Sequence, residues 1–233
     1  ASRGLGDVYK RQKLYGIRIV KGYAIYNSNF NPYIQSLPPD IVNGTVLLLN
    51  ETVNGELEDS TYKHGVVNNG ASYSNDLPQL VGSFRFGLND TTERWISLSA
   101  SNDWAIGTDD FSVEWFQYQT QLSPPSYSRL FQVGDWPDHS LAVSIEDGYL
   151  LVWLNNGFTY YVNLPLTSPL NNWKHIAISR NGGQVSVWED GVRIWYNAVY
   201  TNITNNVDEF KIGTGSGNVW NGYLTNFRLV TGQ

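Results

Sequence analysis

The sequence predicts an all-β protein folded as a two-sheet antiparallel sandwich, and three observations carry that prediction. Short runs rich in β-branched and aromatic residues recur along the whole chain, bounded by Gly, Asn, Asp or Pro, while helical periodicity is scarce. The 233 residues include nine Trp, 15 Tyr, nine Phe and 22 Gly, which suits pleated, half-buried surfaces joined by tight turns. The runs number about fourteen, and one open sheet of that width would curl or split, so two stacked sheets follow.

In chain order the predicted strands are residues 16–20, 45–49, 83–86, 95–98, 111–119, 129–133, 141–145, 150–154, 159–163, 174–179, 184–188, 192–196, 209–212 and 223–230. The run at 184–188 alternates Val185 and Val187 with Ser186 and Trp188, so one pair faces the inter-sheet core. Asp147-Gly148, Asn156-Gly157, Asn181-Gly182-Gly183 and Asp190-Gly191 separate neighbouring runs with residues that tolerate positive φ, which predicts hairpins. Phe111, Trp115 and Trp173 are expected in the core.

Three domain segments are expected. Residues 2–12, SRGLGDVYKRQ, resemble a translated transposon-type sequencing adapter, so 1–12 is set aside from fold reasoning and the chain, which contains no Met, is expected to be a fragment of an assembled environmental read. Ile17-Arg18-Ile19-Val20-Lys21-Gly22 echoes Phe227-Arg228-Leu229-Val230-Thr231-Gly232, so residues 13–42 are expected to hold the closing strand of a preceding repeat plus a Pro-containing linker. The module itself is expected over 43–233.

Lys and Arg total 15 against 21 Asp and Glu, a formal charge of −6 with no basic run to neutralise phosphates, so nucleic acid is not an expected partner. No stretch approaches the roughly 20 apolar residues of a membrane span, and mean hydropathy is −0.32, so membrane insertion is not expected either. With no Cys, disulfides, cysteine zinc sites and thiol catalysis are excluded.

Three segments in order resemble the concanavalin A-like lectin/glucanase superfamily, in its laminin-G-like and pentraxin-like jelly-roll branch. They are Thr108-Asp109-Asp110-Phe111-Ser112-Val113-Glu114-Trp115; Asn172-Trp173-Lys174-His175-Ile176-Ala177 with Val185-Ser186-Val187-Trp188-Glu189-Asp190-Gly191; and Phe210-Lys211-Ile212-Gly213 with Trp220-Asn221-Gly222-Tyr223-Leu224-Thr225-Asn226-Phe227-Arg228. The resemblance covers about residues 45–230 and implies a jelly-roll. It also implies possible calcium binding, for which Asp59 is the candidate ligand, with Asp103, Asp109 and Asp110 as further loop carboxylates. Against calcium, Thr225 and Asn226 stand where the family often has a carboxylate.

Glucanases on such folds place paired carboxylates at alternating positions of one strand. Here Glu114 has no partner on its own strand, and Glu56 and Glu58 fall in a polar segment that reads as a solvated loop. His64, His139 and His175 lack the spacing of a metal or nucleophile motif, and His175 reads as a hydrogen-bonded packing residue. An enzyme is therefore not expected. For binding, aromatic rings stack on sugar faces while Asn and Asp satisfy hydroxyls. Trp153, Trp188 and Trp195 alternate with Val152, Val187 and Ile194 and are candidates to present a ring on a face, beside Trp136, Asp138, Asn155 and Asn156 in loops.

The resulting expectation is a non-catalytic, carbohydrate-binding module of a larger surface or virion protein, such as a phage structural protein, with a glycan or glycoconjugate and neighbouring repeats as partners and an extracellular, cell-surface or virion location. The alternatives are a structural spacer in a tandem fibre or adhesin and, third, a glycan-active hydrolase. A closed sandwich of this kind is expected to be monomeric unless partner modules or exposed sheet edges associate.

Overall fold

The computed structural model describes residues 45–51, 57–59, 61, 63–74, 83–87, 93–121, 129–135, 138–155, 162–199, 202–203, 207–215 and 218–231. The strands are β1 (Thr45–Glu51), β2 (Leu57–Asp59), β3 (Val66–Asn69), β4 (Ser72–Ser74), β5 (Ser83–Phe86), β6 (Trp95–Leu98), β7 (Phe111–Gln119), β8 (Arg129–Val133) and β9 (Leu141–Glu146). They continue with β10 (Tyr149–Leu154), β11 (Val162–Pro165), β12 (Trp173–Asn181), β13 (Gln184–Glu189), β14 (Val192–Ala198), β15 (Phe210–Ile212), β16 (Thr214–Gly215), β17 (Asn218–Val219) and β18 (Gly222–Thr231). A single 3-10 turn at Asn102–Trp104 is the only helical element among the described residues, and no helix there is long and apolar enough to cross a membrane.

Two antiparallel sheets enclose the core. The nine-stranded sheet runs β14-β13-β12-β7-β18-β1-β2, with β5 also on β18 and β4 on β5; the seven-stranded sheet runs β11-β10-β9-β8-β15-β6-β3. Alternation decides what enters the space between them. From β7 come Phe111, Val113 and Trp115; from β12, Ile176 and Ile178; from β9, Leu141, Val143 and Ile145; from β15, Phe210 and Ile212. Aromatic edge-to-face and stacked contacts join the sheets through Trp115, Phe131, Phe210 and Phe227, with centroid separations of 5.2–6.4 Å.

The hairpin turns follow the sequence chemistry. Asp147 and Gly148 have φ of 46° and 82°, and Asp190 and Gly191 have 48° and 80°, the left-handed pair that matches strand twist in a two-residue connection. Gly213, at φ +97°, ends β15, where an added Cβ would lie 2.1 Å from Phe86 Cδ1 and 2.9 Å from the Arg94 carbonyl.

Several expectations are corrected. Glu58 lies in strand β2 rather than in a solvated loop, because Leu57–Asp59 pairs with β1 in the register Asn50 to Glu58; Glu56 lies outside the described residues. Trp173 is buried as expected, though with Phe116 and Tyr223 in a separate, smaller hydrophobic cluster on the outer face of the nine-stranded sheet. Short strands β2, β3 and β4 were not foreseen. The expected strand at 16–20, the segments 1–12 and 13–42, and the Asn156-Gly157 turn lie outside the described residues.

Candidate functional site

The candidate binding residues separate onto two sheets. Asp138, Trp153 and Asn155 come together at one end of the seven-stranded sheet: Asn155 N–H donates to the Ser140 carbonyl at 2.7 Å, and Trp153 sits opposite Ala142 across β9 and β10. Trp188 and Trp195 belong to the other sheet. Trp136 and Asn156 lie outside the described residues.

None of the three described tryptophans presents an open ring, for two different reasons. Trp153 and Trp188 do point away from the inter-sheet core, as alternation requires, yet they are only 2% and 1% exposed. The Arg129 guanidinium lies 4.1 Å from the Trp153 ring centroid and bonds Ser144 Oγ at 2.9 Å, and Arg193 lies over Trp188 at 5.6 Å. Trp195 reverses its expected side. The register shifts between Val187 and Trp188, so Trp195 falls opposite Val187 and packs against the core while Ile194 is turned to solvent.

What the end of the seven-stranded sheet does present is polar. After β8 the chain turns at Gly134 (φ +73°), and the Asp138 N–H donates to the Asp135 carbonyl at 2.8 Å, closing a tight turn. Asp135 Oδ1 accepts from Gln132 Nε2 at 2.9 Å and from Lys211 Nζ at 2.9 Å, with Oδ2 3.0 Å from the same ammonium. Burial by itself would lower the Lys211 ammonium, but the hydrogen bond and charge of Asp135, reinforced by Glu209, hold it above the ordinary lysine value. Asp135 and Asp138 are exposed, and Asn155 is half-buried with Nδ2 donating to the Asn202 carbonyl at 3.0 Å. Beneath them, Gln132 Oε1 and Ser140 Oγ are buried without a hydrogen-bond partner. His139 is buried alongside, lowered to about 4 by burial and then by the Arg129 charge, against the opposing pull of Asp138.

A second polar group occupies the outward face of the nine-stranded sheet. Glu114 of β7 is ion-paired with Arg228 of β18, and its Oε2 lies 3.0 Å from His175 Nε2 of β12. All three are buried. Burial lowers His175 to about 3 despite the Asp190 charge, so the imidazole is neutral and donates its Nε2–H to the carboxylate. Glu114 thus has its partners on neighbouring strands, which a reading along one strand could not find. Glu114 is therefore occupied by a guanidinium and an imidazole, and among the described strands none carries two carboxylates on one face.

Asp59 is buried, and its carboxylate accepts from Thr61 N at 2.9 Å, Thr61 Oγ1 at 2.6 Å and His64 N at 3.1 Å, the geometry of a turn-stabilising aspartate. His64 Nε2 is 3.1 Å from the Val46 carbonyl and 3.3 Å from Asp103 Oδ2. Asp110 accepts the Gly182 N–H at 2.8 Å. Among the described residues no group of three or more His, Asp or Glu is arranged to hold a metal ion.

Lys211, Gln132 and Asp135 were missed as a unit. The Phe-Lys-Ile alternation at 210–212 does place Lys211 outward, but its meeting with Asp135 depends on β15 lying beside β8, a long-range pairing.

No family model and no curated protein matches the chain. Among solved structures it is similar to the binding domain of botulinum neurotoxin DC in complex with SialylT, at 15% identity and a TM-score of 0.66, covering 80% of this chain and 48% of that one. It is similar to botulinum neurotoxin type C, which depends upon interaction with two ganglioside molecules to enter cells, at 16% identity and a TM-score of 0.65, covering 82% and 48%. A third is the binding domain of Paraclostridial Mosquitocidal Protein 1, at 16% identity and a TM-score of 0.62, covering 80% and 47%. At such identities the likeness concerns the fold, and the chain spans about half the length of these neighbours. The chain is thus an all-β, two-sheet antiparallel sandwich of the kind found in these binding domains.

Proposed function

We propose that the chain is a non-catalytic, laminin-G-like jelly-roll module that binds carbohydrate at the end of the seven-stranded sheet. The observation that carries this reading is the convergence of Asp135, Asp138, Asn155 and Lys211 on one solvent-facing rim, over the unsatisfied Gln132 Oε1 and Ser140 Oγ. Sugar hydroxyls both donate and accept, so a carboxylate, an amide and an ammonium fixed in advance can each take one with little ordering cost. Asp135 already neutralises Lys211, and the net charge is −6; both favour a neutral, hydroxyl-rich glycan over a polyanion. The neurotoxin neighbours that engage SialylT or gangliosides support a binding role for a sandwich of this kind. The occupied, buried Glu114 argues against hydrolysis, which needs two free carboxylates about 5–9.5 Å apart. The module belongs on this reading to a larger surface or virion protein acting outside the cell.

The test is thermal unfolding of the full chain against neutral and anionic polysaccharides, in calcium and in chelator. A ligand specific to the native state raises the midpoint, by the equivalent of about 2.7 kcal/mol at a hundredfold excess over Kd. The expected result is a rise with a neutral polysaccharide that is lost in Asp138→Ala and Asn155→Ala. A calcium-dependent rise abolished by Asp59→Asn would assign the metal to Asp59. No rise under any condition sinks the carbohydrate reading and leaves the structural spacer, which the echo of residues 17–22 in 227–232 favours.

A further inference from the structure

We propose that the outward face of the nine-stranded sheet carries a peptide-docking strip, formed by Arg85, Tyr223, Tyr118 and Trp173, that takes an extended proline-containing segment with a carboxylate at one end. Strand register builds the strip. Arg85 of β5 lies opposite Tyr223 of β18, Tyr223 opposite Tyr118 of β7, and Tyr118 opposite Trp173 of β12, so four side chains stand in one row across neighbouring strands. Phe84 and Leu224, adjacent in the chain to Arg85 and Tyr223, belong to the inter-sheet core, which puts the row on the other face.

Three features of the row point to a ligand. Trp173 is 8% exposed and its Nε1–H is buried without a hydrogen-bond partner, whereas buried donors are as a rule satisfied. At the other end, half-buried Arg85 holds its guanidinium 5.4 Å from the Tyr223 ring centroid, and among the described residues it forms no ion pair. Between them, half-buried Tyr118 is flanked by two rings tilted from its own, Trp173 at 5.6 Å and 60° and Tyr223 at 6.0 Å and 83°. Rings tilted in this way leave clefts between them rather than a flat platform. A sugar face stacks on a flat ring, while a pyrrolidine ring seats in a cleft between aromatics.

A polyproline II segment makes no internal hydrogen bonds and keeps its carbonyls free, so one carbonyl accepts from the Trp173 indole while prolines seat beside Tyr118 and a carboxylate pairs with Arg85. The lengths agree. Three strand spacings separate Arg85 from Trp173, about 14 Å, which such a segment covers in about five residues. The chain's own sequence carries the pattern at Leu37-Pro38-Pro39-Asp40, in the stretch read as a linker between repeats, so the linker of a neighbouring repeat has the required chemistry. This proposal is independent of the carbohydrate reading, since the rim formed by Asp135 and Asn155 lies on the other sheet.

Titration of the full chain with a blocked peptide of the sequence Ser-Leu-Pro-Pro-Asp-Ile, up to about 1 mM and followed by the indole N–H resonances of the 15N-labelled protein, tests it. The Trp173 resonance is expected to shift saturably. Arg85→Gln in the protein, or Asp→Asn in the peptide, is expected to weaken binding about tenfold, and Trp173→Phe, which keeps a ring and removes the donor, about fivefold. The wild-type titration stands by itself if Trp173→Phe does not fold. A Trp173 resonance that stays still to about 1 mM, a peptide with both prolines replaced by alanine that binds equally well, or Arg85→Gln binding unchanged would overturn the proposal. A Trp173 shift that needs Arg85 but answers to a sialylated trisaccharide instead of the peptide would overturn it in favour of a second glycan site.

Discussion

Arg228 shows what one buried residue holds together. Arg228→Met leaves the Glu114 carboxylate buried with only the neutral His175 beside it, which is expected to cost about 3–5 kcal/mol in urea unfolding. The double variant Glu114→Gln, Arg228→Met is expected to recover part of that loss, since no charge is then stranded. The histidines make the pH dependence specific. His175 and His139 are lowered to about 3 and about 4 in the folded protein, whereas in the unfolded chain each titrates near 6.5. Above about 6.5 both states are neutral and the contribution is complete; as pH falls toward 4 the unfolded state binds protons that the folded state refuses. Stability is expected to fall across that window by up to about 1.4 kcal/mol per pH unit for each histidine. His139→Gln, followed by denaturant titration at several pH values, should flatten the slope by about one proton. Gly213→Ala combines a left-handed backbone with a Cβ driven into the buried Phe86 ring; about 2–5 kcal/mol of destabilisation is expected. At this scale the sequence made Trp153 and Trp188 legible as residues facing away from the inter-sheet core. It could not reveal that both would nonetheless be covered, because burial on an outward face depends on residues distant in the chain.

At the level of elements, alternation and turn chemistry located the long strands within a residue or two: β5, β6, β7 and β8 have the expected bounds, and the three described hairpin turns have the expected left-handed residues. The short strands were hidden, because three or four residues such as Ser-Tyr-Ser in β4 offer too little pattern to distinguish from a loop. The bulge in β14 was hidden as well, since one extra residue against β13 alters facing without altering composition. The β13–β14 turn has a second function beyond reversing the chain. Asp190 Oδ1 accepts the His175 N–H at 3.0 Å, while Oδ2 lies 2.9 Å from Lys174 Nζ. Although burial acts to lower the Lys174 ammonium, the Asp190 hydrogen bond and charge, then Glu189, raise it. Lys174 Nζ also reaches Thr167 Oγ1 at 3.0 Å, so the turn, β12 and the β11–β12 connection are tied at one point. Asp190→Ala is expected to destabilise by about 2 kcal/mol, more than the loss of a turn preference alone, and to increase the rate of Lys174 acylation by small reagents.

For the molecule as a whole, the sandwich was legible and the strand order was not. Composition and run count demand two sheets, but β18 beside β7, and β15 between β8 and β6, are long-range pairings chosen by packing. The candidate rim inherits that limit: Asp138 and Asn155 could be named from the sequence, while Lys211 and Asp135 meet only once β15 lies next to β8. Trp104, Trp115, Trp153, Trp188 and Trp220 are almost fully buried, so native fluorescence is expected to be blue-shifted and resistant to acrylamide, with both properties lost together on unfolding.

Every described position of β8 is buried, as are all but one of β7 and β12. In most half-solvated sheets every second residue is free to vary; here both parities are constrained, so nearly any substitution in the centre meets a packed neighbour on one side or the other. Selection acting on such a chain has few neutral steps available within its sheets. Surface diversification is therefore channelled into the rim connections and the outer strand, where side chains can change without disturbing the scaffold that holds them.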